Sequence, residues 1–119
     1  LMPELSLLEN IKYFLFNDNI NENMISNVLN KYELESFKSD LVGDFSSGMV
    51  KRSEIAIADL KDPKVLCIDE PRVYLDENGV DLLLNLITKR EKEGSTSILS
   101  SQESIGSFTS IERSFNLDD

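Results

Sequence analysis

Histidine is absent from the 119 residues, and cysteine occurs once. Without imidazole there is neither a His-based catalytic triad nor a zinc site resting on His. The lone thiol, Cys67, excludes an internal disulfide and a cysteine-rich metal cluster. It lies in the apolar run Val65-Leu66-Cys67-Ile68, so a buried structural thiol in a reducing cytoplasm is expected. Positive charge is scarce: 12 Lys and Arg face 22 Asp and Glu, a net charge of -10. That field repels phosphate backbones and argues against nucleic acid as the main partner. No apolar run approaches the roughly 20 residues that span a bilayer. The start, Leu1-Met2-Pro3-Glu4-Leu5, lacks the basic and apolar regions of a signal peptide. It does not begin with methionine, so a processed chain or a fragment is expected.

What remains is an ordinary globular composition, 40% apolar, at the length of one small domain. Ser6-Leu7-Leu8-Glu9 is a capping-box pattern, followed by Ile11, Phe14 and Leu15 at helical spacing. After the turn Asn17-Asp18-Asn19, a second helix is expected from about Glu22 to Tyr32, with Ile25, Val28, Leu29 and Tyr32 on one face. Residues 33–44 are polar and less regular. Ser46 caps a third helix to about Leu60, and Asp62-Pro63 breaks it. Lys64 to Ile68 reads as a buried parallel strand. Asp76 to Lys92 is an amphipathic helix with Val80, Leu83, Leu84 and Ile87 on one face and Lys89, Arg90 and Lys92 near its C-terminal end. Gly94 stops it, and Ser95 to Ser100 is a second strand. A short helix over 104–110 and a strand over 114–117 close the chain. The order implies an α/β fold, a helical subdomain joined to a parallel sheet.

Two places carry chemistry. Asp69-Glu70 directly follows an apolar strand, which delivers both carboxylates to the sheet's carboxyl edge, where open α/β sheets bind ligands. One carboxylate can hold Mg²⁺ through water and its neighbour can polarise an attacking water. The plain alternative is a solvated loop. Phe45-Ser46-Ser47-Gly48-Met49 offers free N–H groups and hydroxyls at a helix start, an anion site or simply a serine cap.

In combination these runs resemble the ABC ATPase family. Gly43-Asp44-Phe45-Ser46-Ser47-Gly48-Met49-Val50-Lys51-Arg52 looks like the family's signature motif, usually LSGGQ, with Met49 in place of the common Gln. A Ser-x-Gly-Met form followed by a basic pair is similar to a branch of ABC exporters. Asp62 to Pro71 looks like the Walker B strand with its Asp and the catalytic Glu. Leu75-Asp76 matches the end of the D-loop, although Arg72-Val73-Tyr74 is an unusual version of it, and residues 6–16 resemble the first helix after the Q-loop. The family's GxxxxGK[ST] phosphate loop has no counterpart here, since no Gly-Lys dipeptide occurs.

The resemblance implies an incomplete ABC ATPase domain: 1–44 a helical subdomain, 45–119 the signature helix and the C-terminal part of the P-loop-type α/β core. It implies that Ser46, Ser47 and Gly48 bind the γ-phosphate of an ATP held by a second ATP-binding domain, in a homo- or heterodimer. It implies that Asp69 binds Mg²⁺ through water, Glu70 orients the attacking water, and Asp76 couples the two sites. Gln102 falls where the family places its switch histidine; a surface glutamine after a strand is the alternative. Transmembrane transporter subunits are the implied further partners, with the protein peripheral on the inner face of the cell membrane. By itself, without a phosphate loop, the chain is expected not to turn over ATP. An inactive ABC-derived interaction module and a soluble non-transport ABC ATPase stay open as alternatives.

Overall fold

A computed structural model describes residues 1–71 and 73–100; the expected helix at 104–110, the strand at 114–117 and Gln102 lie outside them. The Ser6–Glu9 box starts α1 (Leu7–Phe14): Ser6 Oγ accepts the Glu9 N–H at 3.1 Å and Glu9 Oε1 accepts the Ser6 N–H at 2.9 Å. Asn21 caps α2 (Glu22–Lys31) through the Met24 N–H. Two 3₁₀ turns, Glu35–Phe37 and Val42–Asp44, lead to α3 (Ser47–Lys61), which ends at Asp62 in the left-handed region, before Pro63. Strand β1 (Val65–Asp69), helix α4 (Glu77–Lys92) and strand β2 (Thr96–Ser100) follow. Gly94, with φ 81°, makes the turn from α4 into β2 that a side chain would resist.

β1 and β2 pair in parallel, Val65 opposite Thr96 through Asp69 opposite Ser100. Helices cover one face, where Leu66 is buried and Ile68 and Leu99 pack against the core. The other face carries Val65, Cys67 and Ile98, all exposed. Cys67 is therefore not the buried thiol expected from its apolar run. Alternation along the strand puts it on the face that no described residue covers.

The core is one cluster running from Leu7 and Ile11 of α1 through Leu29 of α2 and Ile55 of α3 to Leu83, Leu86 and Ile87 of α4. Asp59 of α3 joins three helices: it accepts from Lys31 at 2.7 Å and from the Tyr32 hydroxyl at 2.8 Å, and lies 3.6 Å from Lys89. Burial first, then the Asp59 charge, pushes the Tyr32 hydroxyl well above its ordinary range, so it stays a neutral donor. Among the described residues no helix is long and apolar enough to cross a membrane.

Arg90 anchors α4 to the sheet. Its side chain is 1% exposed and donates to Ser97 Oγ at 3.0 Å, the Thr96 carbonyl at 2.9 Å and Asp62 Oδ1 at 3.2 Å. Asp62 is 58% exposed and can turn to water, so that pair contributes little by itself. The buried stem and the two contacts to β2 matter more. Arg90→Ala is expected to destabilise the chain by roughly 2–3 kcal/mol, and Asp62→Asn by well under about 1 kcal/mol. Urea unfolding of both variants checks this; equal losses would refute it.

Candidate functional site

The sheet's carboxyl edge and the start of α3 are tied together. Asp69, the last residue of β1, is exposed, and its Oδ1 accepts the Ser100 hydroxyl of β2 at 2.7 Å. Lys51, one turn into α3, donates to the Asp69 carbonyl at 2.9 Å. A cation from the signature-like helix thus stands at the end of the strand that carries both carboxylates. The chain then turns sharply. Glu70 has φ 48°, a left-handed conformation that costs a non-glycine residue roughly 1–2 kcal/mol. Its N–H donates to the Ser100 carbonyl at 2.6 Å, and its carbonyl accepts the Val73 N–H at 3.1 Å. Non-glycine strain of this kind concentrates at functional sites.

At the start of α3, Ser46 Oγ accepts the Met49 N–H at 3.1 Å, and the Ser46 and Ser47 side chains are exposed. Gly48 lies against the loop that follows Glu70: a Cβ there would stand 3.0 Å from the Tyr74 carbonyl oxygen. Asp76 caps α4 by accepting the Gly79 N–H at 2.7 Å, and the same oxygen accepts from Arg52 of α3 at 2.9 Å. The expected site residues Ser46, Ser47, Gly48 and Asp76 therefore border one arrangement, joined to Asp69 and Glu70 through Lys51 and the 73–76 loop. Gln102 lies outside the described residues.

Lys51, Arg52, Tyr74 and Ser100 carry no assigned role in the sequence reading. For Lys51 and Arg52 the signal was visible as a basic pair after the signature-like run. Their partners, 18 and 24 residues away, were not.

Asp69 and the Ser100 hydroxyl are hard oxygen donors of the kind Mg²⁺ accepts. Among the described residues no group of three or more His, Cys, Asp or Glu side chains could hold a metal. A single carboxylate beside a hydroxyl suits an ion that keeps most of its water and takes further oxygens from phosphate.

A family profile described as "ABC transporter" matches residues 1–73. The chain belongs to the ABC transporter family. The chain is 33% identical over 102 residues to the uncharacterized ABC transporter ATP-binding protein YybJ of Bacillus subtilis, which covers 85% of this chain and 47% of that protein. It is 36% identical over 101 residues to the lantibiotic transport ATP-binding protein SrtF of Streptococcus pyogenes, covering 85% of this chain and 44% of that one. Among solved structures, an ATP-binding subunit of an ABC transporter superposes with a TM-score of 0.76 at 28% identity, covering 85% of this chain and 44% of that one. This ABC chain thus spans about half the length of these relatives. Its helices and parallel strand pair are those of an ABC ATP-binding cassette.

Proposed function

We propose that this chain is part of the ATP-binding and hydrolysing subunit of an ABC transporter, an exporter by its Ser-x-Gly-Met signature and basic pair. The observation that carries the reading is the junction of Asp69 and Glu70, at the end of β1, with Lys51 of the helix that begins at Ser46. In that reading residues 1–44 are the helical subdomain, which faces transmembrane subunits, and 45–119 belong to the ATPase core. The protein sits peripherally on the inner face of the cell membrane and, with its acidic balance, takes no nucleic acid.

ATP lies between two such domains, its phosphate loop supplied outside these residues. Bound Mg²⁺ neutralises charge on the phosphates. Asp69, kept in place by Ser100, holds the ion through water. Glu70, its backbone clamped by β2, orients the attacking water for in-line transfer. Ser46, Ser47 and Gly48 present hydroxyls and a bare backbone to the γ-phosphate bound by the partner domain. Asp76 holds the loop that joins the two sites. Gln102, standing where the family uses histidine, favours a second reading, a module that closes on ATP but hydrolyses it slowly.

The test is ATP-driven pairing with a domain that carries a phosphate loop. Ser46→Gly keeps most of the cap, at a cost of a few tenths of a kcal/mol, but removes the hydroxyl offered to phosphate. Pairing is expected to need about tenfold more ATP, as the loss of a hydrogen bond to a charged group implies. An unchanged ATP requirement would remove Ser46 from the nucleotide site.

A further inference from the structure

Arg52 does more than follow the signature turn. Its guanidinium forks: Nη2 donates to Asp76 Oδ1 at 2.9 Å and Nη1 to Glu33 Oε2 at 2.9 Å. The Arg52 side chain is 14% exposed while Glu33 and Asp76 are 66% and 70% exposed, so each ion pair contributes little by itself and the fork acts by where it holds the two carboxylates. The two carboxylates come from different places, Glu33 from just past the end of α2 and Asp76 from the cap of α4. Glu33 (φ 60°) and Tyr74 (φ 70°) are both left-handed without being glycine. Two strained positions thus flank the fork, and the Gly48–Tyr74 approach closes the same cleft, a cavity of about 440 Å³. Strain of this kind persists only where surrounding contacts over-determine it. A lysine could neutralise one carboxylate but could not span two with a planar fork.

We propose that Arg52 is a positioning residue. It locks the 73–76 loop onto the turn at Ser46–Gly48 so that the two move as one unit, and Glu33 extends the lock to α2. The consequence for nucleotide rests on the reading above; the lock itself does not. Because Val73 is hydrogen-bonded to Glu70, the lock also sets where the chain leaves Glu70. Displacing the loop would shift the turn offered to the partner's phosphate, so the defect belongs in closure on ATP before it belongs in the chemical step.

The experiment is amide hydrogen exchange on this chain and its Arg52→Met, Arg52→Lys and Glu33→Gly variants. Turnover is then measured in the pairing assembly. Arg52→Met is expected to speed exchange at both 46–49 and 73–79 by about tenfold or more. Arg52→Lys, which can reach one carboxylate only, should keep either the tie between 46–49 and 73–79 or the tie to the end of α2, not both. Glu33→Gly, which suits the left-handed backbone, should loosen the end of α2 and leave 46–49 and 73–79 coupled. In the assembly Arg52→Met should raise half-saturating ATP about tenfold, with maximal turnover within a few-fold. Faster exchange confined to α3 would overturn the lock. So would a lower maximal turnover at unchanged half-saturation, the mark of a smaller folded fraction. If the unaltered assembly ignores ATP, the nucleotide reading fails, and exchange alone decides the lock.

Discussion

Glu70→Gln is expected to lower ATP turnover by about 10²–10⁴-fold in an assembly that supplies the phosphate loop, the range for losing a positioned proton acceptor. ATP affinity should hold within about threefold, because the substitution leaves Asp69, Ser100 and the helix start intact. Glutamine keeps the size of the side chain and does not disturb the backbone bonds of residue 70 to Ser100 and Val73. In the proposed reading, what it removes is the negative charge that orients the attacking water. Steady-state turnover and equilibrium ATP binding, measured on the same preparations, decide the matter. Turnover within a few-fold of the parent would take Glu70 out of the chemistry and leave its strained backbone as a structural turn.

Gln102→His should work in the opposite direction. A glutamine can donate and accept a hydrogen bond, but it cannot carry a proton as imidazole does. Gln102 follows two residues after Ser100, the end of β2, and Ser100 is in register with Asp69. If residue 102 is the γ-phosphate contact that the family fills with histidine, supplying the imidazole should raise turnover by about 10²–10³-fold, the worth of one well-placed stabilising group. ATP affinity should barely move. The gain should vanish in the Glu70→Gln background, because groups that act on one transition state are not additive. Equal turnover for the parent and Gln102→His would place Gln102 away from the switch position.

Much of this molecule was written in short stretches of sequence. The Ser6–Glu9 box, the Ser46 and Asp76 caps and the Gly94 stop each depend on partners three or four residues away, so local spacing sufficed to place the helices. The apolar run ending in Asp69-Glu70 fixed a strand and the edge at which its carboxylates emerge. Tertiary structure decided the rest. On α4, Leu86 is buried while the expected Val80 and Leu84 are half-buried, a difference set by how the helix docks on β2 and α3 and not by its own spacing. Cys67 is exposed because burial in a strand depends on which sheet face is covered, and a run of apolar residues says nothing about that. Arg90 lies at a helix end, where cations are common on the surface, yet it is buried because β2 folds back over it. The Arg52 fork joins residues 19 and 24 positions away, a meeting that exists only once α2, α3 and the cap of α4 have docked. Periodicity and capping are set by neighbours along the chain, whereas an ion pair between distant residues is set by the packing of whole elements.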